Sequence, residues 1–126
     1  MTTEPPTTVS AVMSSPLETV PRDATVAEAA RRMRAADVNG LFVPGATAGI
    51  VTTTDVVDVV AEGRDPGAVA VAEVMTAPVE RVTESLSLGE AAQMMTTFGI
   101  KHLPVIDEHG DYVGMVSSTD VTAELG

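Results

Sequence analysis

Two copies of one pattern make up most of this sequence. Val12-Met13-Ser14-Ser15-Pro16 returns 62 positions later as Val74-Met75-Thr76-Ala77-Pro78. The same offset lays Thr25-Val26-Ala27-Glu28-Ala29-Ala30 on Ser87-Leu88-Gly89-Glu90-Ala91-Ala92, Met33 on Met95 and Leu41 on Leu103. Further on the offset becomes 65, where Gly49-Ile50-Val51-Thr52-Thr53-Thr54-Asp55 matches Gly114-Met115-Val116-Ser117-Ser118-Thr119-Asp120. The first copy therefore lacks three residues between Val43 and Gly49, and turns are where length changes are tolerated. A repeat of this kind fixes the architecture: each copy must fold alike, and the pair must be pseudo-symmetric.

Each copy has the same run of elements. Glu18-Thr19-Val20 and Val79-Glu80-Arg81-Val82 suit a short extended segment. Thr25 with Glu28, and Ser87 with Glu90, have the spacing of a capping box at a helix start. Val26, Ala29, Ala30 and Met33, like Leu88, Ala91, Ala92 and Met95, then recur at helical intervals. Two strands follow in each copy: Leu41–Val43 with Gly49–Thr52, and His102–Ile106 with Tyr112–Val116. A last helix starts near Asp55 and Asp120. The expected class is α+β, two β-α-β-β-α repeats packed sheet to sheet. Residues 1–8 are expected as a flexible tail, 9–62 and 71–126 as the repeats, and 63–70 as their linker.

Composition closes off several functions. There is no Cys, so disulfides, thiolate metal sites and cysteine nucleophiles are excluded. Phe42, Phe98 and Tyr112 are the whole aromatic content, so the core must be Val, Ile, Leu, Ala and Met, with little surface for stacking bases. The formal charge of −11 opposes nucleic acid and anionic lipid, which are held by Lys and Arg. Six Arg, one Lys and this acid load suit a salt-rich cytoplasm, where about 1 M salt cuts the Debye length to about 3 Å; an ordinary acidic bacterial protein is the alternative. The start lacks a basic stretch leading into an apolar one, and no apolar run nears the roughly 20 residues a membrane span needs. The expectation is a cytoplasmic protein with no membrane partner.

The chemistry concentrates in the repeated Gly-apolar-apolar-[Ser/Thr]-x-Thr-Asp turn. The glycine permits close backbone approach, the hydroxyl of Thr52 or Ser117 ends a strand, and Asp55 or Asp120 sits in the first turn of a helix. A carboxylate can accept from two vicinal hydroxyls, such as those of a ribose. The neighbouring hydroxyl and helix-start amides suit an attached phosphate. A single Asp at this position is explained as a helix cap, but recurrence of the whole seven-residue pattern in both copies favours the ligand reading.

At these residues the sequence resembles a tandem pair of cystathionine-β-synthase (CBS) domains, from about Val9 to Leu125. The likeness rests on the Val-Met-[Ser/Thr]-x-x-Pro segments, the Ala-Ala-x-x-Met helices, Ile100-Lys-His-Leu-Pro-Val-Ile-Asp107 and the two turns. It implies a module that binds an adenosine compound (AMP, ADP, ATP or S-adenosylmethionine) in clefts between repeats, forms a homodimer and regulates an unidentified partner. Asp55 and Asp120 would hold ribose hydroxyls; Thr52, Thr54, Ser117 and Thr119 would contact ribose or phosphate. The backbone at Ser14, Pro16, Thr76, Ala77 and Pro78 would border adenine. Lys101 and His102 replace Asn39 and Gly40 of the first copy, and the resemblance implies that they favour phosphate in the cleft of Asp55.

The remaining candidates are weaker. His109 falls in the Glu108–Asp111 turn, two separated His make no metal site, and the methionines suit core filling. Arg31, Arg32 and Arg34 suit the dipole at the end of the first helix. No Ser has a nucleophile elbow and no His–carboxylate pair suggests a base. The expectation is therefore a non-catalytic module with no metal, and a dimerisation scaffold with empty clefts is the alternative.

Overall fold

A computed structural model describes residues 7–125. Its elements in chain order are α1 (Val26–Ala36), β1 (Gly40–Val43), β2 (Gly49–Thr52), α2 (Thr53–Ala61), α3 (Val71–Val74), β3 (Val82–Thr83), α4 (Leu88–Phe98), β4 (His102–Ile106), β5 (Tyr112–Ser117) and α5 (Ser118–Leu125). The mixed α and β repeats expected from the sequence are present.

The helices start where the side chains predict. Glu28 N–H donates to the Thr25 hydroxyl over 3.1 Å at the head of α1. At α4 Glu90 N–H donates to Ser87 Oγ at 3.2 Å, and that hydroxyl in turn donates to Glu90 Oε1 at 3.0 Å. These two helices each end on a left-handed residue, Asp37 after α1 and Gly99 after α4. Glycine adopts that conformation freely, and Asp tolerates it through its short polar side chain.

β1 and β2 form an antiparallel ladder from Gly40↔Thr52 to Val43↔Gly49. β4 and β5 repeat it from His102↔Ser117 to Ile106↔Tyr112, with a bulge after Val105, and β3 joins β4 in parallel. The length difference between copies is not in the turn, where it was expected. Five residues connect the strands in each case, Pro44–Ala48 and Asp107–Asp111. What the first copy lacks is the last rung of the ladder and the bulged residue.

Two compact units result: residues up to Leu17 joined with those from Glu80 onward, and Glu18–Val79. They are not the two sequence copies, because each copy's leading segment pairs with the other copy's hairpin. Ser14 N–H donates to Met115 O at 2.8 Å and Met115 N–H returns to Ser14 O at 3.0 Å. Thr76 and Ile50 exchange the same two bonds, both at 2.9 Å.

Each unit buries its own aliphatic core. In one, Val9, Leu88, Ala91, Met95, Leu103, Val105 and Val116 cluster; in the other, Val20, Ala29, Met33, Leu41, Val43, Val51 and Val71 do. The equivalent Met33 and Met95 fill equivalent core positions. Residues 1–6 of the expected tail lie outside the described residues. Thr7 and Thr8 are tied down, with Leu88 N–H donating to Thr7 O at 3.0 Å and Thr8 bridged to Ser87.

Candidate functional site

The Gly-to-Asp turn is the last residue of a strand feeding directly into a helix, in both units. Close approach explains its glycine. A Cβ added at Gly49 would stand 2.8 Å from Met75 Sδ and 3.0 Å from Thr76 O; at Gly114 it would meet Met13 Sδ and Ser14 O, both at 2.7 Å. The leading segment therefore lies directly over the glycine. It brings Thr76, Ala77 and Pro78 beside the strand ending at Thr52, and Ser14 and Pro16 beside the strand ending at Ser117. The Ser15–Pro16 and Ala77–Pro78 peptide bonds are both cis. Ser14, Pro16, Thr76, Ala77 and Pro78 are the five expected neighbours of a base, except that Ser14 and Thr76 have spent their N–H groups in the pairing above.

Thr52 and Ser117 are the N-caps of α2 and α5, and the two carboxylates sit at the third helical position. In each case a single oxygen, Oδ2, accepts the backbone N–H of the capping residue at 2.8 Å. The hydroxyls then differ. Ser117 Oγ accepts from Asp120 N–H at 3.2 Å, completing a reciprocal box. Thr52 Oγ1 instead donates to Asp55 Oδ2 at 3.2 Å. Burial pushes the Asp55 carboxyl above its ordinary value; the two Thr52 bonds oppose the rise and nearby Asp58 adds to it.

Fewer helix-start amides are left for a ligand than the sequence suggests. Thr53 N–H donates to Asn39 O at 3.1 Å and Ser118 N–H to Lys101 O at 2.8 Å, because the end of the neighbouring strand brings a carbonyl to each helix start. Thr54 and Thr119, next along, are exposed.

Lys101 and His102 stand at the start of β4, with His102 opposite Ser117 in the ladder. Burial pushes the His102 imidazole below its ordinary value, the Asp120 charge opposes this and Lys101 reinforces it. Within its own unit this pair flanks the Asp120 turn. His109 is an exposed turn residue whose N–H donates to Asp107 Oδ1 at 2.8 Å. Among the described residues no group of three His, Asp or Glu could hold a metal, and no helix is long and apolar enough to cross a membrane.

Sequence reasoning missed two things. One is the exchange of leading segments, which leaves no trace in either copy's periodicity. The other concerns Arg32, whose place late in α1 suits the helix dipole. Its Nη1 donates to Thr19 O at 3.0 Å, out of the helix's own register.

A duplicated strand–turn–helix, each with a carboxylate cap under a crossing backbone, defines a class of tandem-repeat module. The chain belongs to the CBS domain family: the family model for the CBS domain matches residues 9–62 and 71–126. A protein of Acidianus ambivalens of 17.7 kDa is 33% identical over 122 residues, 94% of this chain and 73% of its own length. A Methanopyrus kandleri protein is 36% identical over 74 residues, 58% of this chain; this chain covers only 38% of that protein's length. Among solved structures, the CBS domain pair of protein MJ0100, in complex with 5′-methylthioadenosine and S-adenosyl-L-methionine, is 26% identical. It covers 97% of this chain and 98% of its own, with a TM-score of 0.84.

Proposed function

We propose that this protein is a non-catalytic regulatory module that binds an adenosine nucleotide or related adenosyl ligand and relays occupancy to a partner protein. Asp55 and Asp120 grip ribose hydroxyls. Thr52 and Ser117, with Thr54 and Thr119 beside them, meet ribose or phosphate, and the main chain at Ala77–Pro78 and around Pro16 borders the base. Lys101 supplies positive charge for phosphate, and the imidazole of His102 beside it, held neutral by burial, offers a ring nitrogen for a hydrogen bond. The observation that carries this reading is the position of the two carboxylates. Each commits Oδ2 to its own N-cap, which pins the group at a strand end beside a crossing backbone. The adenosyl ligands of the MJ0100 pair support the same class of ligand here.

A thermal-shift titration with AMP, ADP, ATP and S-adenosylmethionine tests it, at low and at molar KCl. Stabilisation that keeps growing with the logarithm of ligand concentration above the dissociation constant is expected, and Asp55→Ala or Asp120→Ala should weaken it. In the ranking implied by the resemblance, Asp55→Ala costs more AMP affinity than Asp120→Ala. The reverse order would assign Lys101 and His102 to the Asp120 turn they flank.

A ligand-free dimerisation scaffold is the second reading. It is favoured by the same Oδ2 bonds, since a helix cap alone accounts for them. No stabilisation by any adenosine compound, with the oligomeric state unchanged by ligand, would select it.

A further inference from the structure

At the far end of the β1–β2 hairpin from Asp55, unit Glu18–Val79 has an open groove of about 710 Å³. The ladder sets the separation. Gly40↔Thr52 closes it at the Asp55 turn and Val43↔Gly49 at the other end. A rise of about 3.4 Å per residue puts roughly 10 Å between them, and Pro44 of the groove wall lies beyond.

The groove's charge is unlike the rest of the protein. Four of the seven basic residues fall between Arg22 and Arg34, and Arg22 and Arg32 both line the groove. Among the described residues the ion pairs are made by Arg64 and His109, so neither Arg22 nor Arg32 is matched by a carboxylate. Arg32 is nevertheless held in place: its bond to Thr19 O, at 3.0 Å, uses one nitrogen and leaves the others of the fork to donate elsewhere. Arg22 reaches over the hairpin turn, where its Nη1 lies 3.5 Å from the point at which a Cβ on Gly45 would stand. Pro21, Pro44 and Ala70 provide apolar wall, and Asp23 places one acceptor among them.

A guanidinium fork matches the planar, multidentate oxygens of a carboxylate or phosphate, and the volume lies in the range of small-molecule sites. We propose that this groove binds a small organic anion, a carboxylate or phosphate ester. Arg22 and Arg32 hold its charged end, and Asp23 accepts from a hydroxyl or ammonium on its body. The site is independent of the adenosine reading, because it shares no residue with the two Asp turns.

The test is an amide NMR titration of the full chain with malate and with glycerol 3-phosphate, taking Asp55→Ala, Arg22→Gln and Arg32→Gln in parallel. Saturable shifts are expected at Thr19, Arg22, Asp23, Arg32, Gly45, Ala70 and Ala72, unchanged by Asp55→Ala. Arg22→Gln should weaken binding roughly tenfold or more, the loss of one charge-assisted hydrogen bond. The Arg22 side chain makes no hydrogen bond among the described residues, and its backbone carbonyl, which accepts from Ala72 N–H at 2.9 Å, is untouched by the substitution, so this variant should keep the parent melting temperature. Arg32→Gln also removes the Thr19 contact and serves as the second variant. Three results would overturn the proposal. One is the lack of saturable shifts with either probe, another is binding untouched by Arg22→Gln, and the third is binding lost with Asp55→Ala. Preference for malate or for glycerol 3-phosphate would name the anion.

Discussion

Gly49 and Gly114 hold the two units' leading segments in place by having no side chain. A methyl group at Gly114 would have to push aside a backbone carbonyl, Ser14 O at 2.7 Å; at Gly49 it would displace the flexible Met75 Sδ at 2.8 Å and crowd Thr76 O at 3.0 Å. Overpacking of that kind typically costs about 1–3 kcal/mol. Gly114→Ala should therefore lower stability by about that amount, read as a shift in denaturation midpoint with unchanged slope. Gly89→Ala, where nothing lies within 4 Å of the added carbon, is the matched control and should cause no loss. His102 makes a second prediction. Its folded-state value is lowered by burial, so the unfolded chain binds the proton more readily in the window below the ordinary value of 6.5. Stability should be fully present above that value and fall as the pH drops through the window. Melting temperatures taken from about pH 7.5 down to about pH 5.5 should show this decline, and His102→Gln should flatten it.

Among the elements, the N-caps of α1 and α4 were legible from spacing alone. Thr25 and Ser87 sit where the sequence places a capped helix start, because a cap is a local interaction between residues three apart; Thr52 and Ser117, read as strand ends, cap the next helices as well. Ser87→Ala should cost about 1 kcal/mol, measured by chemical denaturation. Leu88, Ala91 and Met95 on one face of α4 were legible for the same reason, as was the pairing of β4 with β5. Three features were not legible. The shortfall of the first copy looked like a shorter turn, yet it is a missing rung and bulge, and residue counts cannot separate these. Thr53 and Ser118 N–H turned out to be bonded to Asn39 and Lys101 carbonyls, since strand ends meet helix starts only in three dimensions. Each leading segment's partner lies in the other copy, and a period-based reading assigns it to its own. The candidate site was visible as a pattern, but the use of Oδ2 as a cap was a matter of geometry.

Across the chain as a whole, boundaries drawn from the repeat and boundaries drawn from packing make opposite predictions. A fragment of residues 18–79 keeps Val20, Val71 and the Ile50–Thr76 pairing together. A fragment of residues 9–62 lacks the Val71 and Thr76 that complete its hairpin's unit. The first should show cooperative unfolding by circular dichroism; the second should be largely unfolded or should dimerise by swapping its leading segment. The charge balance gives a further prediction. With a formal charge of −11 the folded chain repels itself, and added KCl screens that repulsion. The melting temperature should rise between about 0.1 and about 1 M KCl, and a fall would count against adaptation to a salt-rich cytoplasm.

The exchange of leading segments also sets an order of assembly during synthesis. Glu18–Val79 is one continuous stretch and has every partner it needs once Val79 has emerged. The other unit must wait, because the Ser15 hydroxyl donates to a carbonyl 98 residues away, that of Val113. At ribosomal speeds of roughly 5–20 residues per second, that is a delay of about 5–20 s. For that time Val9, fully buried at the end, has no core to enter, so the segment around it stays open to proteolysis or mispairing until the second hairpin is made.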